Sequence, residues 1–193
     1  MPIDTQDAPL ARGGHVVQFY EHDQELTDAV VPYLAEGLSV GEAVIVIASR
    51  AHLRAFAHGL DAAAVDGTTP SDGLIALDAA GTLSALIRDG EIDADAFMKV
   101  LAAAIRRAAE PGRRVRVYGE MVSLLWQAGE VLTAIRLEEL WNELAAELPF
   151  ALFCSYAAAS MEGSEHADAM HQVCALHSSV LPAAPVRALR DGA

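Results

Sequence analysis

The chain has 193 residues, 53% of them hydrophobic, enough for one domain with a sizeable core on a guide of roughly 150 residues per domain. This excludes a disordered or fibrous protein. Its 27 acids against 13 bases give a net charge of -14, with a pI near 4.7, so attraction to nucleic-acid phosphates or anionic lipid is unfavourable and neither is expected as a partner.

Two cysteines, Cys154 and Cys174, without a CxxC pair, indicate neither a disulfide scaffold nor a zinc finger, and a reducing cytoplasm is the expected location. The first residues lack a basic segment followed by an apolar core, and no run approaches the ~18 apolar residues of a membrane span. Residues 1–14 and 182–193 are rich in Pro, Gly and Ala and read as loosely held tails. The folded unit is expected over 15–181.

Along that unit, His15–Tyr20 (HVVQFY) predicts a strand, and Leu26, Val30, Tyr33, Leu34 and Leu38 recur at helical steps after Asp23. Gly37 and Gly41 precede Ala43–Ala48 (AVIVIA), a continuous apolar run suited to a strand covered on both faces. A helix over 50–59, a loop over 67–73 and a strand at Leu74–Leu77 follow. Helices are expected over 80–88 and 93–109, then a strand at Val115–Tyr118 after Pro111 and Gly112. Leu132, Ile135, Leu140, Trp141, Leu144 and Leu148 mark the buried side of a helix that follows Gly129 and runs to Leu148. A strand at Phe150–Tyr156 and a helix over 164–178 complete the series. Strands alternating with helices predict an α/β fold of three layers, a mainly parallel sheet with helices on both faces.

Familiar chemistries find little support. The first strand-to-helix corner, Tyr20 to Glu25, has no glycine-rich phosphate loop and places acids where a phosphate would bind, while the single lysine, Lys99, lies in a later helix. Gly37–Gly41 matches GxSxG, but a helix leads into a strand there, so Ser39 is a loop residue and not a nucleophile. Asp89–Asp95 imitates a calcium loop, yet Ala94 replaces its glycine and Val100 its final glutamate. His171, Cys174 and His177, with His166 nearby, have metal-ligating side chains at helical steps, but each step rotates by about 60° and packing or capping is the preferred reading. No metal, cofactor or catalytic residue is assigned. Arg106, Arg107, Arg113, Arg114 and Arg116 form either a solvated helix end or a docking patch for an acidic partner.

What remains lies mostly at strand ends. Phe19, Tyr20 and Glu21, then Ser49, then Tyr118 and Glu120, then Ser155 and Tyr156 converge if the sheet is parallel, because such sheets bind ligands beyond their carboxyl ends. His15 and Trp126 join this candidate set. A carboxylate such as Glu120 among aromatic rings suits a small polar or cationic group; the competing reading is that these residues simply pack at the sheet edge. Glu120→Gln and Tyr118→Ala are expected to weaken ligand binding with little change in melting temperature.

Several segments carry a resemblance: HVVQFYEHD at 15–23, VIAS at 46–49, LDAA at 77–80, VYGEMVSLLW at 117–126, IRLEELWNEL at 135–144, CSY at 154–156 and VCALH at 173–177. In this order they resemble the MEDS domain, the methanogen/methylotroph DcmR sensory domain, over about 15–181. The resemblance implies a KaiC/RecA-like fold without a working phosphate loop and a noncatalytic prokaryotic sensory role. It implies recognition of a small organic ligand and regulation of a signalling partner, such as a histidine kinase, an anti-sigma type regulator, a transcription regulator or a second copy of the chain. The stretch 61–73 is shorter or more degenerate than the family usually shows. The alternative function is a dimerisation or docking scaffold on a degenerate nucleotide-binding fold.

Overall fold

A computed structural model describes residues 14–63, 73–110, 112–161 and 166–181; the expected loop over 67–73 lies mostly outside these residues, as do nearly all of both expected tails. Six strands form a parallel sheet: β1 (His15–Tyr20), β2 (Ala43–Ala48), β3 (Leu74–Asp78), β6 (Val115–Gly119), β7 (Ala151–Ala157) and β8 (Ser179–Leu181). Their order across the sheet is β3-β2-β6-β7-β1-β8. A separate short hairpin joins β4 (Ile87–Arg88) to β5 (Glu91–Ile92).

Among the described residues, eight α-helical segments pack around the sheet: α1 (Asp23–Ser39), α2 (Arg50–Ala63), α3 (Ala79–Leu86), α4 (Ala94–Phe97), α5 (Ala103–Ala108), α6 (Met121–Gln127), α7 (Val131–Glu147) and α8 (Ala167–Leu176). Among the described residues, none is long and apolar enough to cross a membrane.

The strand order fixes which face each helix covers. From β1 to β2 to β3 the chain moves toward one edge, and from β3 through β6 and β7 to β8 it moves back. Crossovers between parallel strands are right-handed, so the two directions send their helices to opposite faces. Accordingly α1 and α2 pack with Val16, Val44, Val46, Tyr118 and Phe153. On the other face, α3 to α8 pack with Val17, Ile45, Val117, Leu152 and Cys154. The three layers expected from the alternation of elements are present.

The inner strand β2, paired on both sides, is buried at every position, which explains its unbroken run of apolar, largely β-branched residues. Local chemistry sets the element ends. Gly41, with φ +78°, makes the turn between α1 and β2, and Asp78 caps α3 by accepting the Gly81 N–H at 2.9 Å. Gly37 serves close approach instead: a Cβ there would lie 2.9 Å from Arg116 Cδ.

Leu132, expected on the buried side of α7, is 81% exposed at its first turn, and four elements also differ from the sequence expectation. The sheet gains β8, whose three residues are too few to display an alternation. The segment α6 is mostly buried and apolar around its circumference, so it carried no helical stripe. The Asp89–Gly90 turn, with φ +52° and +86°, closes a hairpin that no strand expectation anticipated. Between α4 and α5 the expected single helix passes through a π-helical turn at Met98–Ala102.

Candidate functional site

The parallel register brings one end of each strand to a common rim. Ile47 pairs with Gly119, Tyr118 with Phe153 and Tyr20 with Ala157, so Ser49, Glu120 and Tyr20 leave the sheet side by side. Besides the edge pair β3–β2, adjacent strands send their following helices to opposite faces at two places: between β2 and β6, and between β7 and β1. Such switch points open a crevice beyond the carboxyl ends. A crevice of about 430 Å³ lies there, lined by Tyr20, Asp23, Ser49, His52, Glu120 and Ser123, with Glu21, Gln127 and Ser160 also on its wall.

Glu120 organises its floor. The side chain is buried, and its carboxylate accepts from the Ser49 backbone N–H and from Tyr118 Oη at 3.2 Å, and meets His52 Nδ1 at 2.6 Å. Tyr118 in turn shares a hydrogen bond of 2.7 Å with Ser155 Oγ. Ser49 Oγ accepts the His52 N–H at 3.2 Å and so caps α2. The imidazole of His52 continues outward, its Nε2 lying 3.5 Å from Asp23.

At each corner a carboxylate of the chain itself takes a backbone N–H that an anionic ligand would otherwise meet. The Glu120 side chain takes the N–H at the start of α2, and Glu25 takes the Glu21 N–H at the start of α1, at 3.0 Å. A helix N-terminus otherwise attracts phosphate. Here each corner binds an acid from its own chain.

The phenols are held protonated. Burial, reinforced by the charge of Glu120, pushes the Tyr20 hydroxyl up to about 12 and raises Tyr118 well above the usual phenol range. His52 is raised by its hydrogen bond to Glu120, against the opposing effect of burial; the Glu120 charge and Asp23 add to the rise. The imidazolium is therefore favoured in the folded state. Its stabilisation is complete below the unfolded value of about 6.5 and is lost as pH rises through the higher folded value. Denaturant melts of the wild type should lose stability across that window, and His52→Gln should flatten this part of the profile. An unchanged slope in His52→Gln would place the titration elsewhere.

The candidate residues divide according to strand alternation. Tyr20, Ser49, Tyr118, Glu120 and Ser155 come together around the crevice floor, and Glu21 lines its wall. Phe19 and Tyr156 point to the opposite face, where their rings stack at 6.0 Å. Trp126 meets Tyr156 edge-on at 5.6 Å and donates from Nε1 to the Ser160 carbonyl at 2.9 Å. His15 opens β1 and sits at the other end of the sheet, so the structure does not bring it to this rim.

His171 is exposed and Cys174 half-buried, whereas His177 is buried and meets Glu138 on α7, so the three helical-step candidates do not share a centre. Of the five arginines, Arg116 is buried and internally paired, which removes it from a docking patch. His52 was missed because it lies one turn into a helix, although its place three residues after Ser49 is where capping partners point back to the helix start.

The expectation that Glu120→Gln and Tyr118→Ala leave stability unchanged is corrected: Glu120 is 3% exposed and Tyr118 has no exposed surface, so both are part of the folded core.

Comparison with known proteins matches residues 14–178 to the family described as MEDS, the MEthanogen/methylotroph, DcmR Sensory domain. No curated protein matches the chain. Among solved structures, a protein of Pyrococcus horikoshii OT3 from a structural study is similar, with 12% identity and a TM-score of 0.54, over 90% of this chain and 83% of that one. At that identity the likeness speaks for the fold alone.

Proposed function

Because the chain belongs to the MEDS family of sensory domains, we propose that its strand-end crevice receives a small organic molecule and reports occupancy to a signalling partner. The observation that carries this reading is the crevice at the two switch points, floored by the Ser49, His52, Tyr118, Glu120 and Ser155 network. The helices that rim it belong to opposite layers, so a bound molecule bridges α1 and α2 to α6. A ligand moves such a pair of states only by its difference in affinity for them, and a tenfold response corresponds to about 1.4 kcal/mol.

The ligand class follows from the walls. Carboxylates at both corners disfavour anions, while the hydroxyls of Tyr20, Ser123 and Ser49 and the Gln127 amide suit a neutral or cationic molecule with hydrogen-bonding groups. The reading is noncatalytic and cytoplasmic, with a histidine kinase, an anti-sigma type or transcription regulator, or a second copy of the chain as recipient of the signal.

Native mass spectrometry of the chain isolated from its own cells tests both halves, since it reports a retained small molecule and the stoichiometry together. A neutral or cationic adduct is expected. The exposed rim residue Gln127 gives a separable variant: Gln127→Ala should weaken that adduct at least tenfold without shifting the melting temperature. A chain that carries no adduct and instead forms a defined assembly supports the second reading, a docking scaffold, for which the internal satisfaction of Glu120 speaks.

A further inference from the structure

A second polar cluster lies on the other face of the sheet, under α7 and α8. His15 opens β1, Glu138 projects from α7, Cys154 belongs to β7 and His177 follows α8. The Glu138 and His177 side chains have no exposed surface, and that of His15 is 6% exposed. Donor atoms of all four residues lie within 4.8 Å of one another.

The surrounding hydrogen bonds fix how these donors face. Asn142 Nδ2 donates to the Leu176 carbonyl at 2.9 Å, which turns its Oδ1 toward His15 Nδ1, also at 2.9 Å. His177 Nδ1 lies 2.6 Å from the Val173 carbonyl, which can only accept. Both imidazoles therefore carry hydrogen on Nδ1, and in their neutral form each turns its Nε2 lone pair inward. This arrangement, with the second nitrogen tied to a carbonyl oxygen, is typical of metal-bound histidines.

The inventory inside the cluster is short of hydrogens. Two imidazole Nε2 atoms and two carboxylate oxygens accept, whereas the donors facing them are the Tyr156 hydroxyl, 2.8 Å from Glu138 Oε1, and the Cys154 thiol. His177 Nε2 is left buried without a hydrogen-bond partner, 3.5 Å from Glu138 Oε1. An unsatisfied buried acceptor is costly, and one cation among these atoms would satisfy them together.

Three of the four donors already stand at the spacing of such a cation, and His177 Nε2, 3.5 Å from the other Glu138 oxygen, completes the set from within 4.8 Å. His15 Nε2 is 3.2 Å from Glu138 Oε2 and 3.3 Å from Cys154 Sγ, and Cys154 Sγ is 3.6 Å from Glu138 Oε2. Bonds of about 2.0–2.3 Å to nitrogen, oxygen and sulfur give tetrahedral edges of roughly 3.3–3.6 Å.

We propose that His15, Glu138, Cys154 and His177 form a closed tetrahedral site for a divalent transition-metal ion of the zinc type. Four protein donors leave no open position, so the ion is structural and ties the segment after α8 to β1, β7 and α7. A cleft of about 440 Å³ lined by Gly14, His15, Asn142, Leu176, His177 and Ser178 gives a path to it. The site is independent of the strand-end crevice.

The test strips the full chain with a chelator and titrates it with Co²⁺. One equivalent should bind with a thiolate-to-cobalt charge-transfer band, be displaced by Zn²⁺, and raise the melting temperature. Cys154→Ser should abolish the band, and Asn142→Ala, which removes only the support of His15, should weaken affinity about 10–100-fold. Cys174→Ser and His171→Gln should change neither. A folded wild-type chain that binds no Co²⁺ overturns the proposal even where variants fail to fold, and so does a band that persists in Cys154→Ser or disappears in Cys174→Ser.

Discussion

Arg116→Ala should destabilise the domain by about 3–5 kcal/mol, a large share of the stability of a typical single domain. The side chain is buried, its Nε bonds Glu42, and its Nη1 donates to Glu36 at 2.8 Å and to the Tyr33 carbonyl at 3.1 Å. Its guanidinium also lies 5.1 Å from the Tyr33 ring centroid. Removing it strands the buried Glu42 carboxylate, for which exposed Arg114, at 3.5 Å, is only partial compensation.

The loss should come mostly from that stranded charge and not from the contact itself, because a buried pair gains little over apolar residues of the same volume. Urea denaturation then gives an ordered series: Arg116→Lys intermediate, since a point charge cannot replace the planar fork, and Arg116→Met with Glu42→Gln recovering most of the loss. A cost for Arg116→Ala below about 1 kcal/mol would mean that the pair behaves like a solvent-screened surface bridge.

The same arginine shows what the sequence could and could not convey. In sequence it reads as one of five clustered cations, because nothing local marks the approach of Gly37 or the distant Glu36 and Glu42. Elements with a strong local signature were legible: the apolar run of β2, the stripe of α7 apart from its first-turn Leu132, and the strand-helix alternation that yields three layers. Segments too short or too uniformly apolar to show a period, β8 and α6, were not.

The rim was legible in part, for a related reason. A parallel sheet aligns strand ends whatever its order, so Tyr20, Ser49 and Glu120 could be grouped from their positions alone. Which face each side chain takes depends on the strand's phase, and that separates Phe19 and Tyr156 from their neighbours Tyr20 and Ser155. His15, Glu138, Cys154 and His177 meet only through the strand order, which placed β1 between β7 and β8.

Tyr118 joins the core to the crevice, and two substitutions should separate these roles. Its ring is fully buried between Phe56 and Phe153, at centroid distances of 5.3 and 5.6 Å with nearly perpendicular planes. Tyr118→Ala removes both edge-to-face contacts and leaves a cavity beneath the rim, at a cost of about 3–5 kcal/mol. Tyr118→Phe keeps the ring and deletes only the hydroxyl that donates at 3.2 Å to Glu120 and bonds Ser155 at 2.7 Å. Two buried polar groups then lose a partner, which costs about 1–3 kcal/mol. If the hydroxyl holds Glu120 in place for His52, Tyr118→Phe should also alter the pH dependence of stability above about 6.5, whereas a purely packing role would leave it unchanged. Melts of both variants across that pH range decide the matter: a Tyr118→Phe chain as stable as wild type, with the same pH slope, would remove the phenol from the network and leave Glu120 supported by Ser49 and His52 alone.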